Sequence, residues 1–264
     1  MKLLTIFCLL IGAASTCNAE PLTNIPLDDV SSSNSIEMAI VSDEYLAASV
    51  VTNTSARYYH RVIALQNIAK NPHSHVDVLR ILIHDPDLDI RIGAAEALES
   101  ADPETASRTA KQIIAELSSA GSDRMIRHSA GLRSAVLLAR LNDPSGFEYV
   151  AARLSQNNLS VDKFSALGCL PEFRRFPDLP ASDVIIRYVE EILPLLEVEE
   201  QRKRVELHLS SAFNALYQLR AVEALPRMKQ WEPTLPPKIK WILQYNMRGL
   251  ETYANEDNPH APAP

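Results

Sequence analysis

Apolar residues recur along most of the chain at the three- and four-residue spacing of an amphipathic helix. The spacing is clearest in three stretches: Ile90, Ala94, Ala97 and Leu98; Ile113, Ile114 and Leu117; and Val184, Ile185, Val189, Ile192, Leu193 and Leu196. Such a stripe is the face with which a helix packs against its neighbours. We therefore interpret these positions as core contacts.

Prolines separate the helical stretches, since a helix tends to end before a proline and tolerates one in its first turn. Pattern and prolines together predict helices over 55–70, 74–84, 88–100, 103–119, 123–141, 144–156, 160–173, 180–196, 199–219, 222–231 and 236–255. Short polar side chains that can accept a hydrogen bond from the first turn occupy the predicted N-cap positions Asp102, Asp123, Asp143 and Ser160.

The predicted helices come in pairs. A first helix ends at Asn71-Pro72, another at Asp102-Pro103 and another at Asn142-Asp143-Pro144, and each is followed by a second helix. The prolines are 31 residues (72 to 103) and then 41 residues (103 to 144) apart. This irregular period is close to the length of a two-helix repeat, about 40 residues.

One repeat carries a specific resemblance. Residues 85–98 read Asp-Pro-Asp-Leu-Asp-Ile-Arg-Ile-Gly-Ala-Ala-Glu-Ala-Leu. This segment resembles the inter-repeat turn and first helix of a HEAT repeat, in which an acidic turn precedes a β-branched residue, a basic residue and an alanine-rich helix. Weaker copies lie at 123–127 and 158–167, and the resemblance covers about 55–231. It implies that Asp85 or Asp89, with Arg91, forms part of an ion-pair ladder between repeats.

The fold class that follows is all-α, a right-handed α-solenoid of about five helix pairs plus a terminal helix. Composition agrees, because the chain is 46% hydrophobic but has only 7 glycines and 6% aromatic residues. All-β folds usually need more turn glycines and more strand-forming residues. The pairs after Pro180 match the repeat poorly, as expected of terminal units that present a polar outer face.

The two ends of the chain have a different character. Residues 1–19 combine Lys2, an apolar stretch too short to span a membrane, and small residues before Ala19, which predicts a signal peptide cleaved near Ala19. An N-terminal core helix and lipidation at Cys17 are the alternatives. We expect a flexible leader over 20–35, a HEAT-like α-solenoid over 36–254 and a disordered tail over 255–264, with the mature protein in the periplasm or secreted.

Charge bears on the partner. The formal net charge is -7, and the mature chain, which loses Lys2, would have 25 basic against 33 acidic residues. An acidic chain without a basic stripe argues against nucleic-acid binding and is compatible with a basic protein partner.

Candidate chemistry is sparse. The chain has no G-x-S-x-G, no Walker loop and no H-E-x-x-H, so we expect no enzyme, cofactor or metal. Asp85, Asp87, Asp89 and Glu96 match a calcium loop in spacing, but Ile90 stands where that loop wants glycine. The histidines 73, 75 and 84 are a weak transition-metal alternative, and Cys169 reads as a buried structural thiol.

Protein binding is the function that remains. In HEAT-like proteins the second helices line a concave binding surface, which implies a partner-binding set of Arg108, Lys111, Tyr149, Arg153, Arg187, Glu190 and Trp231. One version of this hypothesis is an immunity protein that neutralises a toxic effector acting in the envelope, for example a basic secreted toxin or enzyme. The alternative is a scaffold or assembly factor of an envelope complex. An enzyme similar to the HEAT-like bilin lyases is a third class.

Overall fold

The computed structural model describes residues 43–119, 125–155 and 159–256. These residues form twelve α-helices and six short 3-10 turns and contain no strand, so the predicted all-α class is confirmed for the described chain. The predicted signal peptide, the leader and Asp123 lie outside the described residues. The helix predicted to end at residue 255 continues to Glu256, so only 257–264 of the predicted tail are not described.

The described chain divides into two compact units, the first ending at Leu82 and the second beginning at Ile83. The first unit contains α1 (Glu44–Thr52), α2 (Tyr58–Ile68) and α3 (Val76–Leu82). Helix α1 packs on α2 and α3, and the Nε of buried Arg61 donates to the carbonyl oxygen of Val51 at 3.0 Å. The sequence pattern missed α1, whose start is fixed by Asp43, a side chain that accepts from two amides of the first turn.

The second unit holds nine helices of the described chain: α4 (Leu88–Ala97), α5 (Pro103–Ser119), α6 (Met125–Arg140), α7 (Phe147–Leu154), α8 (Val161–Cys169), α9 (Ala181–Ile192), α10 (Glu199–Leu219), α11 (Leu225–Trp231) and α12 (Pro237–Glu256). They pack in chain order. Helix α4 packs on α5, α6 on α7, α9 on α10 and α11 on α12, while α4, α6, α8, α10 and α12 pack successively on one another.

Prolines shift several predicted boundaries. Two prolines inside predicted helices, Pro171 and Pro194, lie in 3-10 turns, because the ring removes an amide donor and clashes with the preceding turn. Thus α8 ends at Cys169 before the turn Leu170–Arg175, and α9 ends at Ile192 before the turn Leu193–Glu197. Two further turns, Pro72–His75 and Pro144–Gly146, precede α3 and α7.

The predicted apolar stripes form the core. Ile90, Ala94 and Leu98 are completely buried, and of the later stripes only Ile114 and Leu193 are partly exposed. Asp102 and Asp143 act as caps through hydrogen bonds from Thr105 N and Ser145 N, whereas the side chain of Ser160 accepts none. Within the described part of the chain, no helix combines the length and apolar character that a membrane crossing requires.

Candidate protein-binding surfaces

The exposed side of α5 carries two of the predicted binding residues. Arg108 is exposed and donates to the hydroxyl of Thr105 at 3.1 Å, and Lys111 forms an ion pair of 2.7 Å with Asp143. Partial burial alone would raise the pKa of Asp143. Hydrogen bonds from Lys111 and Ser145 outweigh burial and lower this pKa to about 2. Lys111 thus joins α5 to the capping residue of the turn Pro144–Gly146.

Two shallow depressions, of about 420 and 480 Å³, adjoin on this side of α5 because Gln112 lines both. Most of the residues that line them have polar or charged side chains: Glu104, Ser107, Arg108 and Lys111 in one, and His84, Arg91 and Glu116 in the other. A small-molecule site is normally a concave cleft that encloses most of its ligand. This surface, which we call the α5 face, fits contact with a protein better than capture of a small ligand.

Two aromatic residues of the predicted set belong to the core. Tyr149 is 7% exposed, and Arg153 donates to its hydroxyl at 2.9 Å and lies over its ring. Burial raises the pKa of Tyr149. Trp231 is 6% exposed and stacks on Phe213. Neither ring can anchor a partner in this structure, since the packing of α7 and α11 covers both.

The remaining two residues of the predicted set, Arg187 and Glu190, both lie on α9. Arg187 is exposed on α9 and donates to the carbonyl oxygen of Asp183, and Glu190 pairs with Arg227 at 3.6 Å. Within the predicted set, Tyr149 and Arg153 contact each other, whereas Lys111 and Glu190 pair with residues outside it. The structure thus gives local surface patches rather than one assembled site.

The predicted repeat turn around Asp85, Asp89 and Arg91 forms ion pairs with two other helices. Asp89 does not pair with Arg91. Instead Arg133 of α6 binds Asp89 at 3.4 Å and Glu96 at 2.6 Å, linking α4 to α6. Arg91 makes a two-pronged contact with Glu116 of α5, at 2.8 Å for each bond, and these hydrogen bonds lower the pKa of Glu116. Buried Asp85 accepts from the backbone amide of Asp87.

The outer side of α12 carries a feature that the sequence analysis missed. Lys238, Trp241, Tyr245 and Arg248 follow one another at three- and four-residue spacing, and all four are exposed. Trp241 is 66% and Tyr245 62% exposed, and their rings stack with centroids 6.0 Å apart. We call these four residues the α12 stripe. Helical spacing around the two aromatics could have revealed it from the sequence.

Further aromatic surface adjoins the stripe. Tyr217 of α10 stacks on Tyr253 with centroids 5.6 Å apart, and Arg220 lies 4.4 Å over the Tyr253 ring. The hydrogen bond that the Tyr217 and Tyr253 hydroxyls share raises the pKa of Tyr217, and Tyr245 is close enough to add to this effect. Gly249 permits the arrangement, because a Cβ there would overlap the Tyr217 ring.

A polar cluster is buried between α8, α9 and α10. Tyr188 and His208 share a hydrogen bond of 2.6 Å, and Lys163 donates to the carbonyl oxygen of Leu154 while lying over the Tyr188 ring. Burial, aided by Lys163 and Arg204, lowers the pKa of His208 to about 4. All three side chains are at most 3% exposed, so no substrate reaches them.

Other residues considered for chemistry have structural partners. Asp89 and Glu96 of the calcium-like spacing both bind Arg133, and His75 pairs with Glu44 at 3.0 Å. Cys169 is partly exposed rather than fully buried as predicted, and desolvation together with the Glu172 charge raises its pKa to about 12, which keeps it a protonated, weakly nucleophilic thiol. Across residues 43–119, 125–155 and 159–256, no three His, Cys, Asp or Glu side chains group as metal ligands would.

Comparison with known proteins found no match to a family model, a curated protein or a solved structure.

Proposed function

We propose that this chain is an exported helical-repeat protein of the HEAT-like type, and that it binds another protein. The observation that carries the proposal is the packing order of α4 to α12. Every second helix from α4 onward contacts the next one in that series, as expected when repeats stack on their nearest neighbours in a right-handed α-solenoid. The ion pairs from Arg133 to α4 support the same interpretation, because they join one pair to the next.

Binding is supported by the surfaces that the stacked helices leave exposed. The α5 face is shallow and carries charged side chains, while the α12 stripe exposes a Trp and a Tyr. Exposed Trp, Tyr and Arg are the residue types that dominate protein–protein binding energies. The titratable groups with strongly shifted pKa values, by contrast, are desolvated or held in ion pairs, which favours binding over catalysis.

Site-specific photo-crosslinking in the source cells tests this proposal. A photoreactive amino acid would replace Arg108, Arg187 or Tyr245 in turn, with exposed Lys203 of α10 as the control position. We expect one partner protein to be captured from at least one test position and not from Lys203. Cell fractionation would check that this complex lies outside the cytoplasm. The absence of a discrete adduct at every test position would contradict the proposal.

The partner then separates the two versions of the function. An immunity protein predicts that the captured partner is toxic when produced in the envelope without this chain and harmless when both are produced together. A scaffold or assembly factor predicts a partner that is not toxic, and an envelope defect when the gene for this chain is deleted.

A further inference from the structure

The α12 stripe differs from the rest of the helix in its charge pairing. Lys240 pairs with Glu232 at 3.4 Å, and Glu251 is occupied by Lys229 at 3.0 Å. Lys238 and Arg248, at the two ends of the stripe, have no carboxylate partner among the described residues. Although the chain has a net charge of -7, this part of its surface is locally positive.

We propose that the α12 stripe binds an acidic segment of the partner protein, with carboxylates on Lys238 and Arg248 and an aliphatic or proline-containing centre on Trp241 and Tyr245. This inference rests on the proposed protein-binding function and names the chemistry of the partner. Aromatic faces supply contact area at low entropic cost, and the flanking cations select for charge.

The dimensions of the stripe define the segment. Lys238 and Arg248 are ten residues apart, which is about 15 Å along a helix axis. An extended segment rises about 3.3 Å per residue, so two carboxylates about four or five residues apart would reach both cations. Arg220, which lies over Tyr253 beyond the stripe, offers a third positive group at the same end as Arg248.

A membrane surface fits the stripe less well. Membrane-surface helices bury a broad apolar face in the lipid. On α12 the aliphatic residues Ile239, Leu243 and Leu250 are fully buried in the protein core. The large apolar side chains that α12 exposes most are its two aromatic rings, which lie between two cations.

A second copy of the stripe is also a poor occupant. Two α12 helices related by a two-fold axis and packed antiparallel would bring Lys238 of one copy towards Arg248 of the other. Like charges facing each other across an interface are repulsive. The stripe contains no carboxylate in either copy that could offset that repulsion.

Peptide selection tests the inference directly. The probe is a phage-displayed library of random 12-residue peptides, selected against the immobilised chain that begins at Glu20. Three variants are compared with it: Lys238→Glu with Arg248→Glu, Trp241→Ala with Tyr245→Ala, and a control with Lys203→Glu and Arg174→Glu. Both control residues are exposed bases away from the stripe, so the control changes net charge by the same amount. Circular dichroism and thermal melting establish that each variant is folded.

We expect the unmodified chain and the control to enrich peptides with Asp or Glu on both sides of aliphatic or proline residues. Selected peptides should bind at least tenfold more weakly to both stripe variants in fluorescence anisotropy. The Lys238→Glu, Arg248→Glu variant should instead enrich peptides containing Lys or Arg. Enrichment of basic or neutral peptides by the unmodified chain, or enrichment that survives the stripe variants, would overturn the inference.

Two further measurements test whether the α12 stripe binds a membrane or a second copy of the chain instead. Stripe-dependent cosedimentation with phosphatidylglycerol vesicles would assign the surface to a membrane, and a stripe-dependent dimer in sedimentation velocity would assign it to a second copy. Either result overturns the inference. If the partner crosslinks at Arg108 or Arg187 but peptide selection shows no stripe dependence, this inference fails while the protein-binding function stands.

Discussion

The stability of the second unit should depend on pH through His208. Folding buries this imidazole between α8, α9 and α10, next to the cationic side chains of Lys163 and Arg204. Both burial and the neighbouring charges disfavour the protonated ring. The pKa of His208 therefore falls from its ordinary value of 6.5 to about 4 in the folded chain.

The direction in which pH changes the stability follows from the number of protons that the folded and the unfolded chain bind. Between pH 6.5 and pH 4, the unfolded chain binds a proton at position 208 that the folded chain does not bind. The free energy of unfolding therefore decreases as the pH falls through this window, and it is unaffected by His208 well above pH 6.5. Each pH unit is worth up to about 1.4 kcal/mol, so acidification from pH 7.5 to pH 5 should remove about 2 kcal/mol.

Urea unfolding followed by tryptophan fluorescence measures this loss. Both tryptophans of the chain, Trp231 and Trp241, lie in the unit that contains His208, so the signal reports on that unit. The unfolding free energy is compared at pH 7.5, 6.5, 5.5 and 5.0. The matched variant is His208→Gln, which is polar but does not titrate.

The difference between the two pH profiles isolates His208, because every other histidine and carboxylate is shared. We expect the unmodified chain to lose about 2 kcal/mol more than His208→Gln between pH 7.5 and pH 5. Tyr188→Phe, which removes the hydroxyl bound to His208, should cost about 1 to 2 kcal/mol at pH 7.5 and keep the steep profile. Parallel pH profiles for the unmodified chain and His208→Gln would refute the reasoning.

Three other substitutions test the packing and the ion pairs. Arg133→Met removes the cation that binds Glu96 and one contact of Asp89 and should lower the free energy of unfolding by about 2 kcal/mol, measured by urea unfolding at pH 7.5, with a smaller loss for Arg133→Lys. Gly131→Ala should destabilise by about 1 to 3 kcal/mol in the same assay, because its Cβ would overlap the Tyr149 ring, and it should cost much less in a background that has a smaller residue at position 149. Lys111→Met should raise the pKa of Asp143 from about 2 towards its usual 3.8, as read from a carboxyl carbon NMR titration; an unchanged pKa would show that Ser145 alone accounts for the shift.

The helical content could be predicted from the sequence because it depends on local signals. The periodicity of Ile90, Ala94 and Leu98 and the prolines between helices are visible without tertiary structure. The ends of α8 and α9 could not be placed as well, because Pro171 and Pro194 are compatible with either a kink or a 3-10 turn. Packing, rather than the pattern, decides between them.

Ion-pair partners were harder to predict than the residues that form them. The sequence analysis singled out Arg91 and Asp89 as charged groups of a predicted repeat turn, and the two bind different neighbours, Glu116 and Arg133. They are two residues apart, so they point from different sides of α4. Their partners are set by the orientation of α5 and α6 against that helix, which one sequence does not specify.

The two tryptophans show why a binding surface is difficult to infer from residue type. Trp231 and Trp241 both lie in helices with apolar neighbours, and the sequence analysis chose Trp231 as a contact residue. Trp231 is covered because α10 places Phe213 against it, whereas Trp241 is 66% exposed. Whether a ring becomes core or surface depends on the neighbouring helix, and that information is distributed along the chain.

The net charge of the chain likewise does not describe the charge of each part of its surface. The net charge of -7 suggested a basic partner, since long-range steering responds to the whole molecule. Contact specificity responds instead to groups within a few ångströms, and ionic screening reduces interactions beyond about 8 Å at physiological salt. At the α12 stripe those nearby groups are Lys238 and Arg248, without acidic partners among the described residues. A partner of low overall charge that carries one acidic segment therefore fits both effects. Its low net charge avoids long-range repulsion by the acidic chain, and its acidic segment pairs with the α12 stripe on contact.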